Sequence, residues 1–289
     1  MAPSKDYWQG KVVLITGGSS GIGLALAQSL ADKGAHVWLL ARGLEKLDSA
    51  LASLNCQENQ HCGRISADVA KWDQVIAAVG QVEHETRVPD LVINSAGVAH
   101  PGYFQELGID IFHWTTEVNY YGTVYMCKAV VPKMVDRGSG HIVNISSGAA
   151  FIGRFGYSAY AATKYALHGF SDVLRSEMKP LGIDVSIVFP PDTDTPQLAY
   201  EKGFQPPETK ALSGIANLIS PDWGDKATLF TAQQVAGMIL PKIEQRKYMI
   251  LPGFEMKMLY WGSRLLGSGI YPILDWMIAR AQQNLPRGD

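Results

Sequence analysis

Cysteine is scarce in this chain: Cys56, Cys62 and Cys127 are the only three. So few, and an odd number, give no disulfide framework and fit a reducing compartment. Cys56 and Cys62 have no second ligand pair at metal spacing, so thiols in a solvent-near loop or in the core are expected. The seven histidines show no H-x-x-x-H pattern, and no metal is assigned. Long runs of positive charge are also missing, and the formal net charge is -2. That excludes the basic footprint of a nucleic-acid-binding protein. The first residues, MAPSKDYWQGK, hold no apolar run, so neither a signal peptide nor an N-terminal membrane anchor is expected. There is no internal repeat and no low-complexity segment.

What the chain does have is apolar residues, 47% against 18% charged, enough for a sizeable core over 289 residues. Lys11 to Thr16 is a short apolar run, as in a buried parallel strand. It leads into Gly17-Gly-Ser-Ser-Gly-Ile-Gly23, and Leu24 to Lys33 then shows helical periodicity. Strand, glycine turn and helix together form the first unit of a dinucleotide-binding fold. The glycines admit a pyrophosphate to the backbone, and the helix N-terminus favours its charge. His36 to Ala41 is the second strand. NAD sites commonly close this strand with a carboxylate, but here Ala41 and Arg42 stand in its place. A guanidinium there suits the 2′-phosphate of NADP(H), and Ser20 adds a hydroxyl. The expected pattern continues with a helix over 45–54, a strand over 63–67 and a helix over 72–86. A strand over 91–93 and a long helical stretch over 109–137 follow. Last come a strand over 141–145, a helix over 158–179 and a strand over 184–189. The class is α/β: a Rossmann-type doubly wound parallel sheet in three α/β/α layers.

The chemistry points to Ser147-Gly-Ala-Ala-Phe-Ile-Gly-Arg-Phe-Gly-Tyr-Ser-Ala-Tyr160-Ala-Ala-Thr-Lys164. A tyrosine four residues before a lysine shares its helix face. A nearby ammonium lowers a phenol's pKa, so Tyr160 is expected below its usual value. Tyr157 is a rival phenol, but Ala161, not lysine, stands four residues after it. His168 falls on the Lys164 face and is expected to pack. Asn119 and Gly122 sit in mid-helix against local propensity, a breach that often marks a site. Asp68 at a strand end can accept from adenine or cap the next helix.

Taken in order, these motifs resemble the short-chain dehydrogenase/reductase family over about residues 10 to 250. Thr16-Gly-Gly-Ser-Ser-Gly-Ile-Gly23 is similar to its T-G-x-x-x-G-x-G loop. Asn94-Ser-Ala-Gly97 resembles its N-N-A-G element, with Ser95 in place of the second Asn. The resemblance implies a catalytic set of Asn119, Ser147, Tyr160 and Lys164. Tyr160 would donate a proton, Ser147 would hold the carbonyl oxygen, and Lys164 would hold the nicotinamide ribose. Asn119 would hold a water linking Lys164 to solvent. It also implies an NADP(H) site made by Gly17, Ser19, Ser20, Gly21, Ile22, Gly23, Arg42, Asp68, Val69, Asn94, Ala96 and Gly97. Tyr160, Lys164, Pro190, Thr193 and Thr195 complete that site.

Pro190-Pro-Asp-Thr-Asp-Thr-Pro196 departs from the family's usual P-G-x-x-x-T and resembles the 3-ketodihydrosphingosine reductase branch. So do Glu208 to Ser213 and the apolar C-terminal stretch. That implies NADPH-dependent reduction of a long-chain 3-keto lipid in sphingolipid biosynthesis. The alternatives are an NADP-dependent steroid, retinol or other hydrophobic-alcohol dehydrogenase, or a non-catalytic NADP(H)-sensing or membrane-tethering protein. The expected organisation is a catalytic domain over 8–250, with a substrate lid over 197–231, and an apolar helical extension over 251–289. Leu212, Ile215, Leu218, Ile219 and Trp223 give the lid an apolar face that suits a long chain or packs on the core. Residues 254–278 are apolar but interrupted by Glu255, Lys257, Arg264, Pro272 and Asp275. A bilayer span is therefore not expected. An interfacial segment and a dimer-forming or core-covering helix pair both fit. The expectation is a cytoplasmic homo-oligomer, a dimer or tetramer, with peripheral membrane contact as one role for the tail.

Overall fold

The computed structural model describes residues 7–209, 212 and 229–283. Seven strands form one parallel sheet: β1 Val12–Thr16, β2 His36–Ala41, β3 Cys62–Ser66, β4 Leu91–Asn94, β5 Gly140–Ile145, β6 Ile183–Val188 and β9 Met249–Ile250. Their spatial order is β3-β2-β1-β4-β5-β6-β9. Two further strands, β7 Thr193–Asp194 and β8 Phe230–Thr231, pair with each other. The order reverses between β1 and β4, which leaves a crevice at the strands' carboxyl ends, the usual ligand position in such sheets.

Strand β1 has all five residues buried because both faces of the sheet are covered. Its side chains alternate between two cores. Val13 and Ile15 join Leu26 and Leu30 of α1 (Gly21–Asp32), Leu47 of α2 (Leu44–Ala52) and Val235 and Ile239 of α8 (Ala232–Glu244). Val12 and Leu14 join Val75 and Val79 of α3 (Trp72–Glu85), Met126 and Val130 of α5 (Gly122–Arg137) and Leu174 of α6 (Ser158–Met178). Thr231 and Gln234 close a reciprocal capping box at the start of α8.

The expected helix over 109–137 is helical throughout but not uniform. Helix α4 (Ile109–Thr116) passes into a π-turn at Glu117–Tyr121 before α5 begins. The expected helical extension is two helices, α9 (Gly253–Leu266) and α10 (Ile270–Gln283), joined at Gly267–Gly269. No described helix is long and apolar enough to cross a membrane.

One expectation is corrected. Cys56 and Cys62 are not free thiols but are joined in a disulfide, with Cα atoms 6.4 Å apart. Parallel pairing of Cys62 with Val37 fixes one partner at the start of β3. The loop from α2 brings the other back to it. Cys127 is a buried free thiol. Within the expected lid, Pro196–Glu201 forms the short helix α7, and β7–β8 pairing joins the two ends of the stretch. Leu212 is helical. Ile215, Leu218, Ile219 and Trp223 lie outside the described residues.

Candidate active site

The glycine turn is shaped by what cannot fit there. Gly17 has φ +66, and a Cβ on it would sit 2.8 Å from the Ala96 backbone. A Cβ on Gly23 would lie 2.5 Å from the Gly17 carbonyl oxygen. Only glycine fits either place. Thr16 Oγ1 then accepts the N–H groups of both Ser95 and Ala96, at 3.1 Å each. One hydroxyl thus locks the loop after β4 against the turn after β1. Ser20 is the α1 N-cap residue, yet its side chain makes no capping bond. The turn therefore has the close backbone approach and the open helix N-terminus that a pyrophosphate needs, and the residues fit a dinucleotide. Gly97 lies further along, its Cβ position facing Asn119, Lys164 and Gln197, while Ser19 and Ile22 belong to the turn itself. Thr195 Cγ2 lies 3.2 Å from the Cβ position of Gly21, so the β7–α7 corner closes over the turn.

Arg42 is exposed at the end of β2, and its carbonyl accepts from Ser66. Asp68 accepts the Ala70 N–H at 3.0 Å in a local turn ahead of α3. Val69 packs against Gly122. Asn94 faces the sheet interior: its amide donates to Asn144 Oδ1 at 2.9 Å and joins β4 to β5. Thr193 is buried and donates to the Pro191 carbonyl, which braces the Pro190–Pro191 corner.

The strand end of β5 and helix α6 bring Ser147, Tyr160 and Lys164 together. Ser147 Oγ accepts the Ala149 N–H at 3.2 Å, which fixes its rotamer. Burial raises the Tyr160 pKa, and the neighbouring Ser147 hydroxyl opposes this only in part. The expected lowering is thus overturned. Lys164 Nζ is 5.5 Å from the Tyr160 ring centroid and is committed to the Ile145 carbonyl at 3.0 Å, so desolvation of the phenol prevails. Lys164 is 4% exposed, and burial pulls its pKa down to about 8, with Glu201 acting the other way.

Asn119 sits in the π-turn, fully buried. Its Oδ1 accepts the Val98 N–H at 2.8 Å, and its Nδ2 donates to the Val98 carbonyl at 2.9 Å and to Thr163 Oγ1 at 3.0 Å. The amide therefore pairs with Val98 much as a neighbouring strand would. Thr163 in turn donates to the Tyr160 carbonyl. Asn119 is thus linked through Thr163 to the helix that carries Tyr160.

Sequence reasoning missed three residues around Tyr157: Gln197, Glu201 and Gln205. Tyr157 donates to Glu201 Oε2 at 2.8 Å, Gln197 donates to Glu201 Oε1 at 2.8 Å, and Gln205 donates to the Tyr157 hydroxyl at 2.6 Å. Tyr157 is a brace rather than a rival acid, and burial followed by the Glu201 charge raises its pKa. The available signal was Thr195-Pro196, a cap and first-turn proline opening a helix on which Gln197 and Glu201 are four apart. His168 packs between Phe151 and Phe189, as expected.

Residues 11–203 match the short chain dehydrogenase family. The chain belongs to that family. It is accordingly an oxidoreductase acting between ketone and hydroxyl groups with a nicotinamide cofactor. It is 39% identical over 238 residues to a 3-dehydrosphinganine reductase of Danio rerio, covering 81% of this chain and 72% of that one. It is 37% identical over 228 residues to a 3-ketodihydrosphingosine reductase of Mus musculus, covering 77% and 68%. Levodione reductase has the same fold, with a TM-score of 0.73 and 24% identity over 86% of this chain and 98% of that one.

Proposed function

We propose that this protein reduces 3-ketodihydrosphingosine, or a close long-chain 3-keto lipid, with NADPH. The observation that carries the chemistry is Tyr160. Its phenol is held protonated by burial, stands beside Ser147 and lies four residues from the buried Lys164. The likeness to 3-ketodihydrosphingosine reductases over more than two thirds of each chain supports the substrate.

NADPH supplies the hydride when bound. The glycine turn and the α1 N-terminus would hold its pyrophosphate, with Ala96 and Gly97 as the floor beneath it. Exposed Arg42, with Ser20 beside the turn, would hold the 2′-phosphate, since no carboxylate stands at the end of β2. Tyr160 would give its Oη proton to the forming alkoxide. Ser147 Oγ would donate to the same oxygen and stabilise its charge. Lys164 as ammonium would stabilise the phenolate left behind. Asn119 would keep the Val98 loop and α6 in register for that transfer.

Helices α9 and α10 support a lipid substrate. Leu265 is 81% exposed and Trp261 58%, and Phe254, Met258, Tyr271 and Trp276 are exposed as well. Leu259 and Met256 of α9 meet Gly148, the residue after Ser147. An apolar surface thus lies beside the proton-donating corner, where it would rest on a membrane that holds the substrate. Flotation with vesicles tests this: the full chain should float, and L265E with W261E should stay in the soluble fraction. Equal behaviour of the two proteins refutes the membrane role.

The activity is tested by following NADPH oxidation with 3-ketodihydrosphingosine, a steroid ketone and a short 3-ketoacyl thioester. Turnover should be highest on the first. No turnover on it beside clear turnover on either other overturns the substrate.

A further inference from the structure

Glu201 is 6% exposed, and both its carboxylate oxygens are held by neutral donors, Gln197 and Tyr157. No salt bridge reaches it among the described residues. A buried carboxylate with no ion-pair partner is costly to desolvate. Such a group is retained where a cation arrives from elsewhere, or where it serves as a brace alone.

Its placement distinguishes these two roles. Tyr157, which it grips, has its ring centroid 6.0 Å from that of Tyr160. Gln197, which grips its other oxygen, turns Oε1 toward the Gly97 corner. There Asn119 Oδ1, Lys164 Nζ and Gln197 Oε1 lie 3.5, 3.7 and 4.0 Å from the Gly97 Cβ position. The carboxylate is thus one side chain from Tyr160 on one side and one side chain from Lys164 on the other.

We propose that Glu201 recognises the 2-ammonium group of an α-amino ketone whose carbonyl is held by Ser147 and Tyr160. This rests on the substrate reading above. In 3-ketodihydrosphingosine the amine-bearing carbon is bonded directly to the carbonyl carbon, so a bound carbonyl brings the ammonium into the same small volume. That volume already contains the Lys164 ammonium, and a second cation beside it is repelled unless a carboxylate compensates. Glu201 is the buried carboxylate that does so, and Tyr157 and Gln197 hold it in place. It is a specificity residue: its charge, acting across Tyr157 and Gln197, favours the substrate's ammonium, and it moves no proton in the reduction.

The test compares two ketones in the full-length protein with NADPH: 3-ketodihydrosphingosine and the 1-hydroxy-3-ketone of equal chain length that lacks the amine. Wild type should prefer the amino ketone in kcat/KM. E201Q should reduce that preference by about 10- to 100-fold, mainly through KM, as expected on losing a compensating buried charge. E201D, which keeps the charge, should retain part of it. Equal losses on both ketones in E201Q would show a brace only and overturn the proposal. So would a wild type with no preference between them, a result that stands even if E201Q does not fold and that leaves the reductase reading intact. Wild-type turnover of neither ketone overturns the substrate reading itself, and the proposal with it.

Discussion

Around the glycine turn the fit is made by backbone and one hydroxyl. Gly17 lies against the Ala96 backbone, Gly23 against the Gly17 carbonyl, and Thr16 holds two N–H groups at once. Around α7 the fit is made by the ends of long side chains: Gln197, Glu201, Gln205 and Tyr157. The first arrangement has almost no adjustable part, because a single added carbon collides with main chain. The second can be altered by exchanging side chains while the backbone stays in place. A fold that must bind one cofactor but suit many substrates gains from that division. Tyr160 and Lys164 stand at the join, on α6 between the two.

The largest test of that join is Tyr160→Phe. Turnover should fall by about 10²- to 10⁴-fold while NADPH still binds, as read by fluorescence titration. Near-normal turnover would remove Tyr160 as the proton donor. On the cofactor side, Arg42→Ala should lower kcat/KM for NADPH by roughly 10- to 100-fold, the scale of a charged hydrogen bond, and affect NADH far less. Equal losses with both cofactors would separate Arg42 from the 2′-phosphate.

The pH profile probes Lys164 itself. Burial holds its pKa down to about 8, so the ammonium is present below that value and lost as pH rises through it. Tyr160 is shifted upward and stays protonated over the same range. Reductive kcat should therefore fall above about pH 8, by about tenfold per unit once the loss is complete. A profile that stays level through that range would separate Lys164 ionisation from turnover. The stability sign is opposite. The unfolded lysine binds its proton up to a higher pH than the folded one, so this residue's contribution to stability rises with pH between the two values. The smallest effect belongs to the far region. Thr231→Ala removes the α8 cap, which should cost about 1 kcal/mol and lower Tm by about 2–4 °C. Turnover should change little, and a large loss of turnover would tie α8 directly to the substrate side.

The two regions also differ in how openly the sequence declares them. Strands β1, β2 and β4 are buried along almost their whole length, so each appears as a near-continuous apolar run. The glycine turn is legible because its constraint is local: strand, turn and helix follow one another in the chain. By contrast, β9 is two residues long and carries no period to detect. Glu201 meets Tyr157 from 44 residues away, and no local pattern marks that distance. The Cys56–Cys62 disulfide was hidden by the small number of cysteines, which suggested free thiols. The acidity of Tyr160 was misjudged for a related reason. Sequence spacing shows the neighbouring lysine but not the desolvation, and here desolvation decides.

The π-turn at Glu117–Tyr121 has a consequence for how this chain can change in length. A π-turn closes with i→i+5 bonds, about one residue more per turn than an α-helix, so it carries an extra residue while α4 and α5 keep their faces. Removing that residue would rewind the turn to an ordinary helix with α4 and α5 still nearly in phase. The widened turn that sets Asn119 against Val98 would be lost, and the loop it holds would lose its partner. Insertions in exposed loops displace no such side chain. Length at this one turn should therefore be held more strictly than the identity of most residues around it.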